Sequence, residues 1–365
     1  MKALIVGGTG PTGPFIIRGL IERGYRVSML HRSLHEIDEI PSEVEHIHVD
    51  PWEPGAVREA LAGRTFDVSV VTYGRLRAIA ELLVGKTGRL ISAGGFPCYR
   101  GYFEPGRFTP VGMPVPTYED GPKVASEEEH RKGYRIRMTE ETVLALHPEA
   151  THIRYPYVYG PRQLVPREWC IVRRIIDGRR HIILPEGGLT LCTFGYSGNV
   201  AHAVLLALDN PAVSAGQVYN AGDEQVLSLR QVVECICAAL DHEMEIVSMP
   251  WEVARPAWPM IMHPLPTHRV LDIGKLRREL GYRDPVSPPA ALALTARWYV
   301  ANPPPPGGET EWILQDPFEY DSEDRLIALY KDGLERLSQV RFKQPPGLGL
   351  AYFDPKAQRD RPPTE

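Results

Sequence analysis

Short apolar runs recur along the first part of the chain at intervals that suit buried strands. They are Lys2–Val6, Arg26–Leu30, Glu45–Val49, Asp67–Val71, Arg89–Ala93 and Thr151–Arg154. Between the first two, Phe15, Ile16, Leu20 and Ile21 fall at helical spacing within Thr12–Arg23, so one face of that segment is apolar. Strands that alternate with helices predict βαβ units and a parallel, doubly wound α/β sheet.

Proline marks where this pattern stops. The chain has 35 prolines in 365 residues, about twice the usual share of roughly 5%. Six lie between Pro97 and Pro122, five between Pro250 and Pro266, and four form the run Pro303–Pro306. Proline lacks an amide donor and fixes its own φ, so these clusters predict loops or linkers. The length suits two domains, or one large domain with an appendage.

The formal net charge is −5. Twelve acids and eight bases lie from Asn302 onward, so the body is nearly neutral and the tail is acidic. No polybasic run invites nucleic acid, and none is expected as a partner. The five cysteines form no CxxC pair, so neither a disulfide framework nor a metal site is expected. With no apolar stretch long enough for a membrane span and no secretory pattern at the N-terminus, a cytoplasmic location is expected.

The first chemical motif follows the first strand. Gly7, Gly10 and Gly13 in Gly7-Gly8-Thr9-Gly10-Pro11-Thr12-Gly13 give GxxGxxG between a strand and an amphipathic helix. Glycine permits the tight turn and the close approach of backbone to a pyrophosphate at a helix N-terminus, and Thr12 belongs to the same turn. The second strand ends in His31-Arg32-Ser33, where a carboxylate would otherwise hold the ribose of NAD. Arg32, helped by Ser33 and His31, suits an adenosine 2′-phosphate, so NADP is expected with NAD as the alternative. Asp50, ending the third strand, suits either the adenine amino group or the cap of a following helix.

These residues resemble the extended short-chain dehydrogenase/reductase family, the NAD(P)-dependent epimerase/dehydratase group, and its atypical members most of all. The resemblance covers roughly residues 1–300. It includes Arg154-Tyr155-Pro156-Tyr157-Val158-Tyr159-Gly160-Pro161-Arg162, Tyr196–Ala201, Leu271–Lys275, Leu280-Gly281-Tyr282 and Ala290–Tyr299. It implies a Rossmann-type domain over 1–160 to which some later segments return. A mainly substrate-binding domain would follow over 161–301, then a Pro-rich spacer and tail over 302–365. Tyr73, Gly74 and Tyr157 complete the expected cofactor set. A small-molecule substrate is implied, and a homodimer is permitted by analogy alone.

The family's chemistry uses Tyr-x-x-x-Lys on one helix face and a hydroxyl after the fifth strand. Here Tyr134 is present, but the lysine position holds Met138, whose thioether carries neither charge nor donor. In Leu90-Ile91-Ser92-Ala93-Gly94 only Ser92 keeps a hydroxyl, and the expected catalytic position falls near Gly94. Arg137 is a candidate replacement for the lysine charge; Lys132 and His130 lie off that face.

Oxidising an alcohol requires tyrosine to act as a base, which the lysine normally makes easier. Reducing a carbonyl requires only neutral tyrosine, the dominant form near pH 7 given a reference pKa of about 10. The expectation is therefore an NADPH-dependent reductase with Tyr134 as proton donor and Ser92 or a backbone amide polarising the substrate. The alternatives are a catalytically lapsed NADP-binding scaffold for RNA or protein, and a nucleotide-sugar epimerase/dehydratase.

Tyr99, Tyr102, Phe103, Phe108, Met113 and Tyr118 of the long proline-rich loop, with Trp169, Trp251, Trp258 and Met260–Met262, could line an aromatic pocket or simply pack. The first alternative favours a hydrophobic or aromatic carbonyl substrate. Arg154 and Arg162 could hold an anionic group, with a structural partner the better reading for Arg154. In the tail, Leu326, Ile327, Tyr330, Leu334 and Leu337 fall on one helical stripe that should bury.

Overall fold

The computed structural model describes residues 1–32, 37–72, 74–261, 265–344, 346 and 347. Eleven strands occur among them: β1 (Lys2–Val6), β2 (Arg26–His31), β3 (Glu45–His48), β4 (Val68–Thr72), β5 (Leu90–Gly95), β6 (Thr151–Tyr155), β7 (Tyr157–Tyr159), β8 (His181–Pro185), β9 (Phe194–Tyr196), β10 (Val218–Asn220) and β11 (Glu245–Met249). Seven of them form one sheet in the order β10-β6-β5-β4-β1-β2-β3, with every pairing parallel. The strand order reverses beside β1, so the carboxyl ends of β1 and β4 flank a crevice where ligands bind in such sheets.

Both faces of the sheet are covered, which is why its strands read as near-continuous apolar runs. On one face, helix α1 (Gly13–Glu22) packs Ile16, Ile17 and Leu20 against Ala3, Ile5, Val27 and Met29, together with Val200 and Val204 of Ser197–Asp209. A Cβ on Gly19 would fall on the Leu205 side chain, so glycine sets the approach of those two helices. On the other face, Leu4, Val6, Leu30 and Val71 meet Val57, Leu76, Ile79 and Leu83, along with Val143 of helix Glu127–Leu146. The seventh strand comes from residue 218 onward, so the later chain does return to the first sheet.

Residues beyond β6 build a second core around Trp169, Val172, Ile182, Leu184, Val233, Ile236, Leu292 and Tyr299. It carries two small parallel pairs, β8 with β11 and β7 with β9. Past Pro303–Pro306 the chain forms helix Glu309–Leu314. There Glu311 accepts from Trp169 Nε1 (3.0 Å) and Arg173 (2.7 Å), while Arg174 pairs with Asp316 at 2.7 Å, both side chains buried.

The chain divides into Met1–Phe318 and Glu319 onward, so residues 302–318 belong to the first unit. The second unit contains helix Tyr320–Ser338. On its stripe Ile327 is buried and Leu326 and Tyr330 are partly so, but Leu334 and Leu337 are exposed. The apolar stripe is therefore real for only half the helix. No helix among the described residues is long and apolar enough to cross a membrane.

Candidate active site

The dinucleotide end is set by close packing behind the glycine loop. Gly7 has φ +94°, and a Cβ there would fall on the Thr72 carbonyl at the end of β4. A Cβ on Gly13 would fall on the Gly8 carbonyl oxygen, whereas one on Gly10 would meet only the Gly7 oxygen, at 3.6 Å. Gly7 and Gly13 thus serve the fold, and Gly10 leaves an open approach.

Helix α1 begins after the buried Thr12 with no side-chain cap and no acid in its first turn. Its first amides keep their partial positive charge for an anion. Arg32, just past β2, is exposed and forms no ion pair among the described residues. An uncapped helix start, an open glycine approach and an exposed arginine with no ion pair among the described residues all fit a nicotinamide dinucleotide. Gly74 has φ +68° with open space beside it. Asp50 accepts from the Trp52 amide (2.9 Å), and the next helix instead starts at Pro54 after Glu53, so Asp50 is not its cap. Ser33 and Tyr73 lie outside the described residues.

The other end of the crevice is built around β5 and β6. Ser92 is buried, and its Oγ lies 2.8 Å from His152 Nδ1. A Cβ on Gly94 would come within 2.5 Å of His152 Nε2, so the imidazole fills the space where a larger residue would sit. The same ring lies 3.8 Å from Glu140, which receives Arg154 in a fork at 2.7 and 2.8 Å and Lys123 at 3.0 Å. Arg154 also donates to the Tyr99 hydroxyl, which donates to Asn220 (2.7 Å).

Burial alone would raise the Glu140 carboxyl, but the bonds and charge of Arg154 hold it down at about 2. Burial pushes His152 down to about 4 against the pull of Glu140. Ser92, His152 and Glu140 are ordered as in a hydrolytic triad, yet all three are at most 3% exposed. They cross-link β5, β6 and the helix Glu127–Leu146 and offer no surface to a substrate. The sequence signal was available: His152 and Arg154 alternate on a strand, so they share one face.

Tyr134 lies on that helix, after a kink at His130 whose Nδ1 accepts from the Gly133 amide (3.1 Å). A Cβ on Gly133 would come within 3.1 Å of the Pro97 carbonyl oxygen, which places the helix start against the turn after β5. Tyr134 is half-buried, and its hydroxyl takes no hydrogen bond among the described residues. Met138 sits one helical turn on. Arg137 is turned to Glu141 (2.7 Å) and the Val124 carbonyl (3.1 Å), so its charge is already compensated.

The aromatic loop is built mainly inward. Phe96, Tyr99, Tyr102 and Met113 are buried with Leu271, and Trp169 is buried in the second core. Packing is therefore the role of these residues, while Tyr118 and Trp258 are exposed; Met262 lies outside the described residues. Arg162 pairs with Glu39 at 2.7 Å. The Tyr157 hydroxyl donates to the Val165 carbonyl, leaving its ring edge-on to Phe194 at 5.4 Å.

Phe194 also borders a small cavity of about 20 Å³ lined by Tyr159, Glu168, Asp223, Leu227 and Leu292. Burial pushes Glu168 up to about 7 and Asp223 up to about 6. Sequence reasoning missed both acids, since neither belongs to a spaced motif.

No protein-family model matches the chain. UDP-N-acetyl-alpha-D-glucosaminuronate decarboxylase of Bacillus cytotoxicus is 23% identical over 335 residues, 82% of this chain and 97% of the relative. The chloroplast stem-loop binding protein of 41 kDa b of Arabidopsis thaliana is 25% identical, over 67% of this chain and 65% of its own. The 2-alkyl-3-oxoalkanoate reductase of Stenotrophomonas maltophilia is 26% identical, over 66% and 76%.

Among solved structures, UDP-glucose 4-epimerase of Thermotoga maritima matches with TM-score 0.65 and 17% identity, over 83% of this chain and 99% of its own. UDP-glucuronic acid 4-epimerase of Bacillus cereus in complex with NAD matches with TM-score 0.63 and 16% identity, over 83% and 99%. The sheet order and these neighbours show the Rossmann-type fold shared with the solved nucleotide-sugar epimerases, and the glycine loop and ordered motifs make the chain similar to the extended short-chain dehydrogenase/reductase family, the NAD(P)-dependent epimerase/dehydratase group.

Proposed function

We propose that this nicotinamide-dinucleotide enzyme is an NADPH-dependent reductase of a small carbonyl compound. The observation that carries the reading is Tyr134: half-buried near the head of its helix, its hydroxyl unengaged among the described residues, with uncharged Met138 where the family has lysine. A bound reduced nicotinamide supplies the hydride. The chain's own part is to place the carbonyl and deliver a proton, and Tyr134 in its neutral form donates that proton to the developing alkoxide. Ser92 is held by His152, so polarisation falls to a backbone amide in the turn after β5. Arg32 supports NADPH over NADH, because a guanidinium matches a phosphate dianion.

A second reading is favoured by one observation: His152 occupies the space beside Gly94, the family's hydroxyl position. On this reading a chain with neither hydroxyl nor lysine binds the dinucleotide and turns nothing over; the Arabidopsis relative, by its name, binds a stem-loop. Nucleotide-sugar epimerisation or dehydration, named in other relatives and neighbours, must begin with hydride removal from an alcohol. That step asks Tyr134 to act as a base without the lysine that normally makes this easier.

The experiment is a titration with NADPH and NADH, followed by a carbonyl screen on wild type and Tyr134→Phe. The reductase reading expects turnover with NADPH and a loss of roughly 10²–10⁴-fold in Tyr134→Phe. Cofactor binding with no turnover on any carbonyl supports the second reading, and undiminished turnover in the variant removes Tyr134 from the chemistry.

A further inference from the structure

Three imidazoles converge where β2 and β3 end. His46 and His48 are two residues apart on β3, so they project from one face of the strand. In the register of the pair, His31 lies opposite His48 and Met29 opposite His46. His31 therefore projects from the same face. The ring centroids are 4.8–5.6 Å apart, and His31 Nε2 lies 3.0 Å from His46 Nδ1. One ligand-capable nitrogen from each ring falls within 4.8 Å of the others.

We propose that His31, His46 and His48 form a binding site for a late first-row transition-metal ion, of which Zn²⁺ is the reference case. Neutral imidazole is the ligand these ions favour, ahead of magnesium or calcium. Two nitrogens that each lie about 2.0–2.1 Å from one zinc ion are separated by roughly 3–3.4 Å. The His31–His46 pair already meets that separation. The longest gap shortens by roughly 1.5 Å, a change that side-chain torsions can supply.

Burial is graded across the cluster: His31 is buried, His46 half-buried and His48 exposed. Two strands fix the inner ligands while the outer one faces the direction from which an ion arrives. Three protein nitrogens leave a fourth position for water or an anion, the arrangement of an open rather than a closed structural site.

This proposal stands on strand geometry alone and does not depend on the reductase reading. Tag-free, chelator-treated full-length protein is titrated with ZnCl₂ by calorimetry and with CoCl₂ by visible absorption. One equivalent of zinc per chain and four-coordinate cobalt bands are expected. His48→Ala should weaken binding at least ~10-fold, and His46→Ala/His48→Ala should abolish it. Circular dichroism and melting of metal-free His48→Ala, whose side chain is exposed, should match wild type.

Zinc binding that is absent at millimolar concentration, or unchanged in the double variant, overturns the proposal. The three rings would then be a hydrogen-bonded clasp between β2 and β3. A parallel NADPH titration separates the two ideas, since lost dinucleotide binding with zinc binding intact affects only the functional reading.

Discussion

The two ends of the crevice have been treated differently. At the glycine loop the demands of a dinucleotide are met by backbone: Gly7 and Gly13 have no room for a side chain, Gly10 has, and α1 starts uncapped. At the β5–β6 end the space beside Gly94 is taken by a buried network, Ser92–His152–Glu140–Arg154–Tyr99. The first end is written in glycine and helix direction, the second in a buried side-chain network that also cross-links β5, β6 and the helix Glu127–Leu146.

The comparison can be broken most severely at Glu140. Glu140→Ala leaves Arg154 charged and buried without its partner, so destabilisation of about 3–5 kcal/mol is expected in chemical denaturation. An intact midpoint would show that the network is not structural.

The network also carries a pH signature. His152 falls from its usual 6.5 to about 4 in the folded chain, so the unfolded chain binds the extra proton first. Its contribution is full above pH 6.5 and is lost as pH falls towards 4, up to about 3 kcal/mol in total. His152→Gln should flatten that limb of a stability–pH profile, and an unchanged slope would locate the titration elsewhere.

The glycine end is tested more gently. Gly10→Ala should melt like wild type, because its Cβ makes only an ordinary contact. It should nonetheless lose roughly 10–100-fold in dinucleotide affinity, about 1.4–2.8 kcal/mol. Equal affinity would mean the pyrophosphate does not cross Gly10. The smallest effect is expected from Arg32→Ala: about 10-fold weaker NADPH with NADH unchanged, measured by fluorescence titration. A parallel loss for both would assign Arg32 to something other than the 2′-phosphate.

The sheet was legible because strands covered on both faces leave long apolar runs. β1, β2, β4 and β5 could be read that way, while the shorter, mixed patterns of β3 and β6 were read from their place in the alternation. Val218–Asn220 escaped because three residues between helices carry too little pattern. The glycine loop was legible because its chemistry is local. The β5–β6 network was not, since its partners are up to 121 residues apart and each looks like an ordinary polar residue. Aromatic content misled in the proline-rich loop for the opposite reason: Tyr99 and Tyr102 advertise a pocket but fill a core. The histidine cluster depends on strand register, which no single strand reveals.

The pairing of Arg174 with Asp316 has a consequence for how the chain is made. The two residues are 142 positions apart, so at about 5–20 residues per second the guanidinium waits roughly 7–28 seconds for its carboxylate to be synthesised. During that interval the second core cannot close over Arg174 without burying a bare charge. Completion of the lobe is therefore tied to synthesis of residues well past the proline run, and a ribosome stalled before residue 316 would hold a chain whose sheet domain is formed and whose second lobe is still open.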